Sequence, residues 1–118
     1  SDMIVLTEHV LNADYDAANS PEMVEQRDIA WLDSASYLIA EVSGASTGVG
    51  REIEYARTKE HFGKAPAKVL CLYHVGREDS VSKMVRGMDP DRYPNVSVKA
   101  YRDIGDVKEI IGNFIGVR

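Results

Sequence analysis

The chain has 118 residues with 19 acidic against 14 basic side chains, a net charge of -5, 44% hydrophobic residues and 28% charged ones. That length suits one domain with one core, residues 1–118, and is too short for two ordinary ones. No apolar run approaches the roughly 20 residues that span a bilayer, and no cluster of Lys and Arg is present to replace the counterions of a nucleic-acid backbone, so neither a membrane nor a nucleic acid is expected as partner.

Met3 to Thr7 (MIVLT) reads as a β-branched strand, and LNADYDAANS after it as a loop without a clear period. Ser20-Pro21 then opens a helix, with Ser20 as N-cap and Pro21 at the first helical position, running to about Ser34. Its apolar stripe takes in Val24, Trp31, Leu32 and Ala35, and at a period of 3.6 that stripe passes through Asp28. A buried carboxylate needs a partner or a shifted pKa. Two readings stand: a structural hydrogen bond or ion pair, or a catalytic role.

Tyr37 to Val42 (YLIAEV) reads as a buried strand, which breaks into SGASTGVG and re-enters a helix at about Gly50, placing Glu52 in the first helical turn. Glu41 and Glu52 would both face the crevice beyond the strand ends, where open α/β sheets bind ligands. This helix continues to Phe62 and stops at Gly63, and Lys68 to His74 (KVLCLYH) is a second buried strand. Residues 76–87 read as a loop and a short helix with Ser80 or Ser82 near its start, Val96 to Tyr101 as an edge strand, and about Ile104 to Phe114 as a closing helix. Alternating strands and helices imply an α/β layered fold with a parallel sheet.

The central loop lacks the third glycine of the dinucleotide fingerprint, which would fall on Ile53, and lacks a Walker lysine. What it offers is small residues, the hydroxyls of Ser46 and Thr47, and helix-start amides that suit a phosphate. An unliganded connection is the plainer alternative. For Glu52, a helix-dipole partner stands beside a nucleophile kept ionised by that dipole. Cys71, inside VLCLY, reads as a buried structural thiol in a reducing compartment. His9, His61 and His74 are too scattered for a metal site, so no metal and no cofactor are expected.

LTEHV, RDIAWLDSASYLIAEV, SxGVGxEI and SKMVRG together, from about Val5 to Gly87, resemble the 2'-deoxynucleoside 5'-phosphate N-hydrolases of the nucleoside 2-deoxyribosyltransferase family. The resemblance implies a flavodoxin-like (Rossmann-like) three-layer domain that forms a homodimer; the cytoplasm is the default location, with nuclear entry left open. It implies cleavage of the base–deoxyribose bond of a small deoxynucleotide. By position, the nucleophile falls on Glu52 and the helix aspartate on Asp28. The phosphate serine falls on Ser46, with the amides of Gly48 and Gly50 beside it, and a second serine, given by the neighbouring subunit, on Ser82. Ser36 and Glu54 stand where the family often has Asp and Gly. The family's opening strand and Y-F-x-G-S-I-R-G loop, with the helix after them, have no counterpart here, so a chain shortened at its start is expected. A deoxyribosyltransferase or a non-catalytic nucleotide-binding module are the rival readings.

Overall fold

The computed structural model describes the backbone of residues 3–5 and the whole of residues 18–45 and 47–116. Among the described residues four strands, β1 (Met3–Val5), β2 (Tyr37–Glu41), β3 (Lys68–His74) and β4 (Val96–Tyr101), form one all-parallel sheet in the order β1-β2-β3-β4. The helices among the described residues are α1 (Pro21–Ser34), α2 (Thr47–Thr58), the single-turn α3 (Lys83–Arg86) and α4 (Ile104–Ile115). Short 3-10 segments occupy Lys59–Phe62 and Val75–Ser80.

Period-two alternation of the strands explains why both faces of the sheet are covered. Leu38, Ala40, Val69 and Cys71 point to one side and pack with Leu32 of α1 and Val49, Ile53 and Ala56 of α2. Ile39, Leu70 and Leu72 point to the other and meet Val107, Ile110, Ile111 and Phe114 of α4. The result is the three-layer α/β architecture expected of a flavodoxin-like chain. Cys71 is fully buried, and that burial pushes its thiol up to about 12, so it stays protonated and inert.

Local chemistry sets each boundary near the site. Ser20 caps α1 by accepting from the Met23 amide at 3.2 Å, and Pro21 follows at the first helical position. Gly63, at φ 84°, ends the 3-10 turn after α2 in the left-handed conformation that glycine adopts at no steric cost. One expectation needs correction: α2 begins at Thr47, three residues before Gly50, so Glu52 lies in its second turn and not its first. Glycines at 48 and 50 weaken a helix by only about 1 kcal/mol each, and burial of Val49 and Ile53 outweighs that cost.

Polar contacts clamp α1 to α2 along their length. Arg51 pairs with Glu25 at 2.7 Å, and the Tyr55 hydroxyl donates to Asp33 Oδ1. Lys59, with no exposed surface, donates its ammonium to the carbonyls of Asp33 at 3.0 Å and Ala35 at 2.7 Å. These are carbonyls that the end of α1 leaves without helical partners. The relative placement of Asp28 on α1 and Glu52 on α2 follows from this clamp.

Candidate active site

Asp28, Gly48 and Glu52 line one cavity of about 420 Å³ between α1 and α2, together with Glu25, Ile29 and Arg51. That volume lies within the range of small-molecule sites. The two carboxylates picked out from separate sequence signals therefore share a wall. Burial and then the negative charge of Asp28 raise the Glu52 carboxyl from 4.5 to about 7, against the smaller opposing pulls of Arg27 and Arg51. The expectation that a helix start keeps Glu52 ionised is thus corrected. The dipole fades beyond the first turn, and desolvation beside a like charge dominates.

Asp28 accepts two bonds on Oδ1 from Arg27, Nε at 3.0 Å and Nη2 at 2.8 Å. The ion pair foreseen as the plain explanation of this acid is present, and so is the shared cavity with Glu52. Trp31, placed by its periodicity on the inward stripe, is instead 37% exposed, with the Arg27 guanidinium 4.7 Å above its ring. Leu32 takes the core position of that stripe.

Gly50 and Ser82 line a different cavity, of about 760 Å³, with Thr47, Arg57, Ser80 and Tyr93. Residues 48 and 52 point to one side of α2, and 50, 54 and 57 to the other, as 100° per residue requires. Within one chain the set Asp28, Gly48 and Glu52 is brought together, and Ser82 stands apart from it. Ser82 Oγ accepts from the Met84 amide at 3.2 Å and caps α3. Ser46 lies outside the described residues, as does His9. The opening of α2 at Thr47 places the amide of Gly48 among the N–H groups that have no partner within the helix, whereas the amide of Gly50 lies past them.

Glu41, expected at the crevice, is committed elsewhere. It accepts from the Ser43 amide at 2.6 Å, the Ser43 hydroxyl at 2.9 Å and the Tyr101 hydroxyl. Burial and this carboxylate push Tyr101 up to about 12, so it remains a donor. Ser43 Oγ also accepts from the His74 amide at 3.0 Å, and His74 Nδ1 accepts from Gly76 at 3.0 Å, which gives His74 a structural place. No three His, Cys, Asp or Glu among the described residues could hold one metal ion.

No family model matches the chain. Among curated proteins it is 37% identical over 114 residues to a protein of Thermofilum pendens named as a 2'-deoxynucleoside 5'-phosphate N-hydrolase 1, an alignment covering 95% of this chain and 73% of that protein. A Nematostella vectensis protein of the same name is 35% identical over 115 residues, with 93% and 72% covered. The 5-hydroxymethyl-dUMP N-hydrolase of Mus musculus is 38% identical over 88 residues, which are 70% of this chain and 47% of the mouse protein.

Proposed function

Because this chain belongs to the family of 2'-deoxynucleoside 5'-phosphate N-hydrolases, we propose that it cleaves the N-glycosidic bond of 2'-deoxynucleoside 5'-monophosphates, with water, to free base and 2-deoxyribose 5-phosphate. The observation that supports this reading is the carboxylate pair Asp28 and Glu52 on one cavity wall, with Glu52 poised at about 7.

Two carboxylates flanking a glycosidic bond are the minimal equipment for retaining hydrolysis. Ionised Glu52 attacks C1' as the C1'–N bond breaks, through an oxocarbenium-like transition state, and forms a deoxyribosyl ester. Asp28 positions the leaving base and delivers or relays the proton it needs. Water then attacks C1' of the ester, passes a proton back to Asp28 and returns Glu52 to its carboxylate. A nucleophile near 7 is a compromise: half the sites are ionised at neutrality, and the carboxylate is more basic than one at 4.5. For the phosphate, the free amide of Gly48 and the Ser46 hydroxyl are the groups we assign, with Ser82 supplied by a second copy of the chain in a homodimer. A cytoplasmic enzyme is part of the same reading. Among the described residues no helix is long and apolar enough to cross a membrane.

The test is chromatography of the products from each deoxynucleoside monophosphate, beside unphosphorylated deoxynucleosides with an acceptor base. Free base from the monophosphates, abolished in Glu52→Ala, is the expected result. Base exchange on nucleosides would make the protein a transferase, and full turnover by Glu52→Ala would remove the nucleophile.

A further inference from the structure

Neighbouring side chains on a helix do not normally face each other, yet Arg27 bends back onto Asp28 and sets both Nε and Nη2 on the single oxygen Oδ1. The pair is largely withdrawn from water, with side chains 23% and 17% exposed. Trp31, one turn on, supports the guanidinium from below at 4.7 Å. Asp28 Oδ2 has no hydrogen-bond partner among the described residues, and Asp28 lines the cavity that holds Glu52. Arg51, the cation that lines that cavity, is turned to Glu25 in a far more exposed pair, 61% and 43%.

We propose that Arg27 is a positioning residue of the hydrolase site: its fork on Oδ1, stacked on Trp31, fixes the Asp28 carboxylate so that Oδ2 is presented to the substrate beside Glu52. This rests on the roles assigned above to Asp28 and Glu52. A guanidinium is suited to the task because its planar fork is rigid, whereas a lysine ammonium supplies the charge without the geometry. The charged groups around Glu52 come from both helices: Asp28 opposes its ionisation, Arg27 and Arg51 favour it, and Glu25 shares the cavity wall. Removing Arg27 withdraws one of two favourable charges and frees the aspartate to rotate.

The experiment compares the full chain with Arg27→Gln and Arg27→Lys by pH–rate profiles, and by carbon-13 NMR titration of the carboxyl groups, with Glu52→Ala as reference. Arg27→Gln is expected to lose about tenfold or more in kcat with little change in KM, and to move the acid limb to higher pH. Arg27→Lys should keep the limb near its original place and still lose kcat, because charge returns and the fork does not. Arg27→Gln with kcat, the limb and the Asp28 and Glu52 titrations all unchanged below its melting temperature overturns the proposal, even if the variant melts earlier. If the unaltered chain hydrolyses nothing, the hydrolase reading fails by itself. The titrations then decide alone: identical curves in the chain and Arg27→Gln overturn the positioning role, and displaced Asp28 and Glu52 curves sustain it.

Discussion

Glu52 is held at a cost to the fold. Its carboxyl sits at about 7 in the folded chain against the usual 4.5, so between those values the folded state binds a proton that the unfolded chain has released. The sign follows: this group is harmless below about 4.5, loses stability as pH rises through 7, and carries its full penalty above. Glu52→Gln, which cannot ionise, should therefore be more stable than the unaltered chain at pH 8, on the order of 1 to 2 kcal/mol after allowance for solvent screening. The difference should vanish near pH 4.5. Melting curves at both pH values check this, and equal melting temperatures at pH 8 would mean that Glu52 is not held in a desolvated site. The same ionisation should appear in turnover, with kcat/KM falling about tenfold per pH unit well below 7 if the ionised form is the nucleophile.

At the scale of elements, the clamp between α1 and α2 turns two helices into one wall. Lys59 is its buried end, and replacing it with Met keeps an unbranched chain of similar length while orphaning the carbonyls of Asp33 and Ala35. Lys59→Met should cost about 2 to 4 kcal/mol in urea unfolding, since two buried acceptors lose their donor; an unchanged midpoint would assign the clamp to packing alone. Lys59 also shows where sequence reading stops. The inward stripe of α2, Val49, Ile53 and Ala56, reaches position 59 at the next helical step, so the signal that singled out Asp28 was present again and pointed to a buried charge. What no periodicity shows is the partner, a pair of carbonyls on another helix. The strands at residues 68–74 and 96–101 were legible to the residue because their apolar pattern is continuous or alternating between breaks. The start of α2 was not, because Gly48 and Gly50 carry a loop signature that core burial of their neighbours overrides. Glu52 was thus found for a partly wrong reason: its distinction is desolvation beside Asp28, not a place at a helix start.

At the scale of the molecule, α2 divides the candidate residues between two cavities, Asp28, Gly48 and Glu52 on one side and Gly50 and Ser82 on the other. A ligand of nucleotide size bound in one cavity does not reach the opposite flank of a helix about 10 Å thick. Ser82 can therefore serve the Glu52 site only from a second copy, in a two-fold pair whose sites each combine one chain's Glu52 with the other's Ser82. Such sharing has a signature that no single-chain site can produce. Glu52→Ala should be inactive and Ser82→Ala weakened toward phosphorylated substrates. When the two variants are mixed and allowed to exchange partners, half of the pairs are hybrids, and each hybrid carries one site with both residues intact and one with neither. The mixture should recover about a quarter of the activity of the same amount of unaltered chain, apart from whatever Ser82→Ala retains by itself. Recovery must also depend on concentration, since dilution dissociates the pairs. A mixture that shows only the average of its two components, at concentrations where light scattering finds dimers, would leave Ser82 as the cap of α3 and nothing more, and the phosphate would then rest on the loop and the first amides of α2.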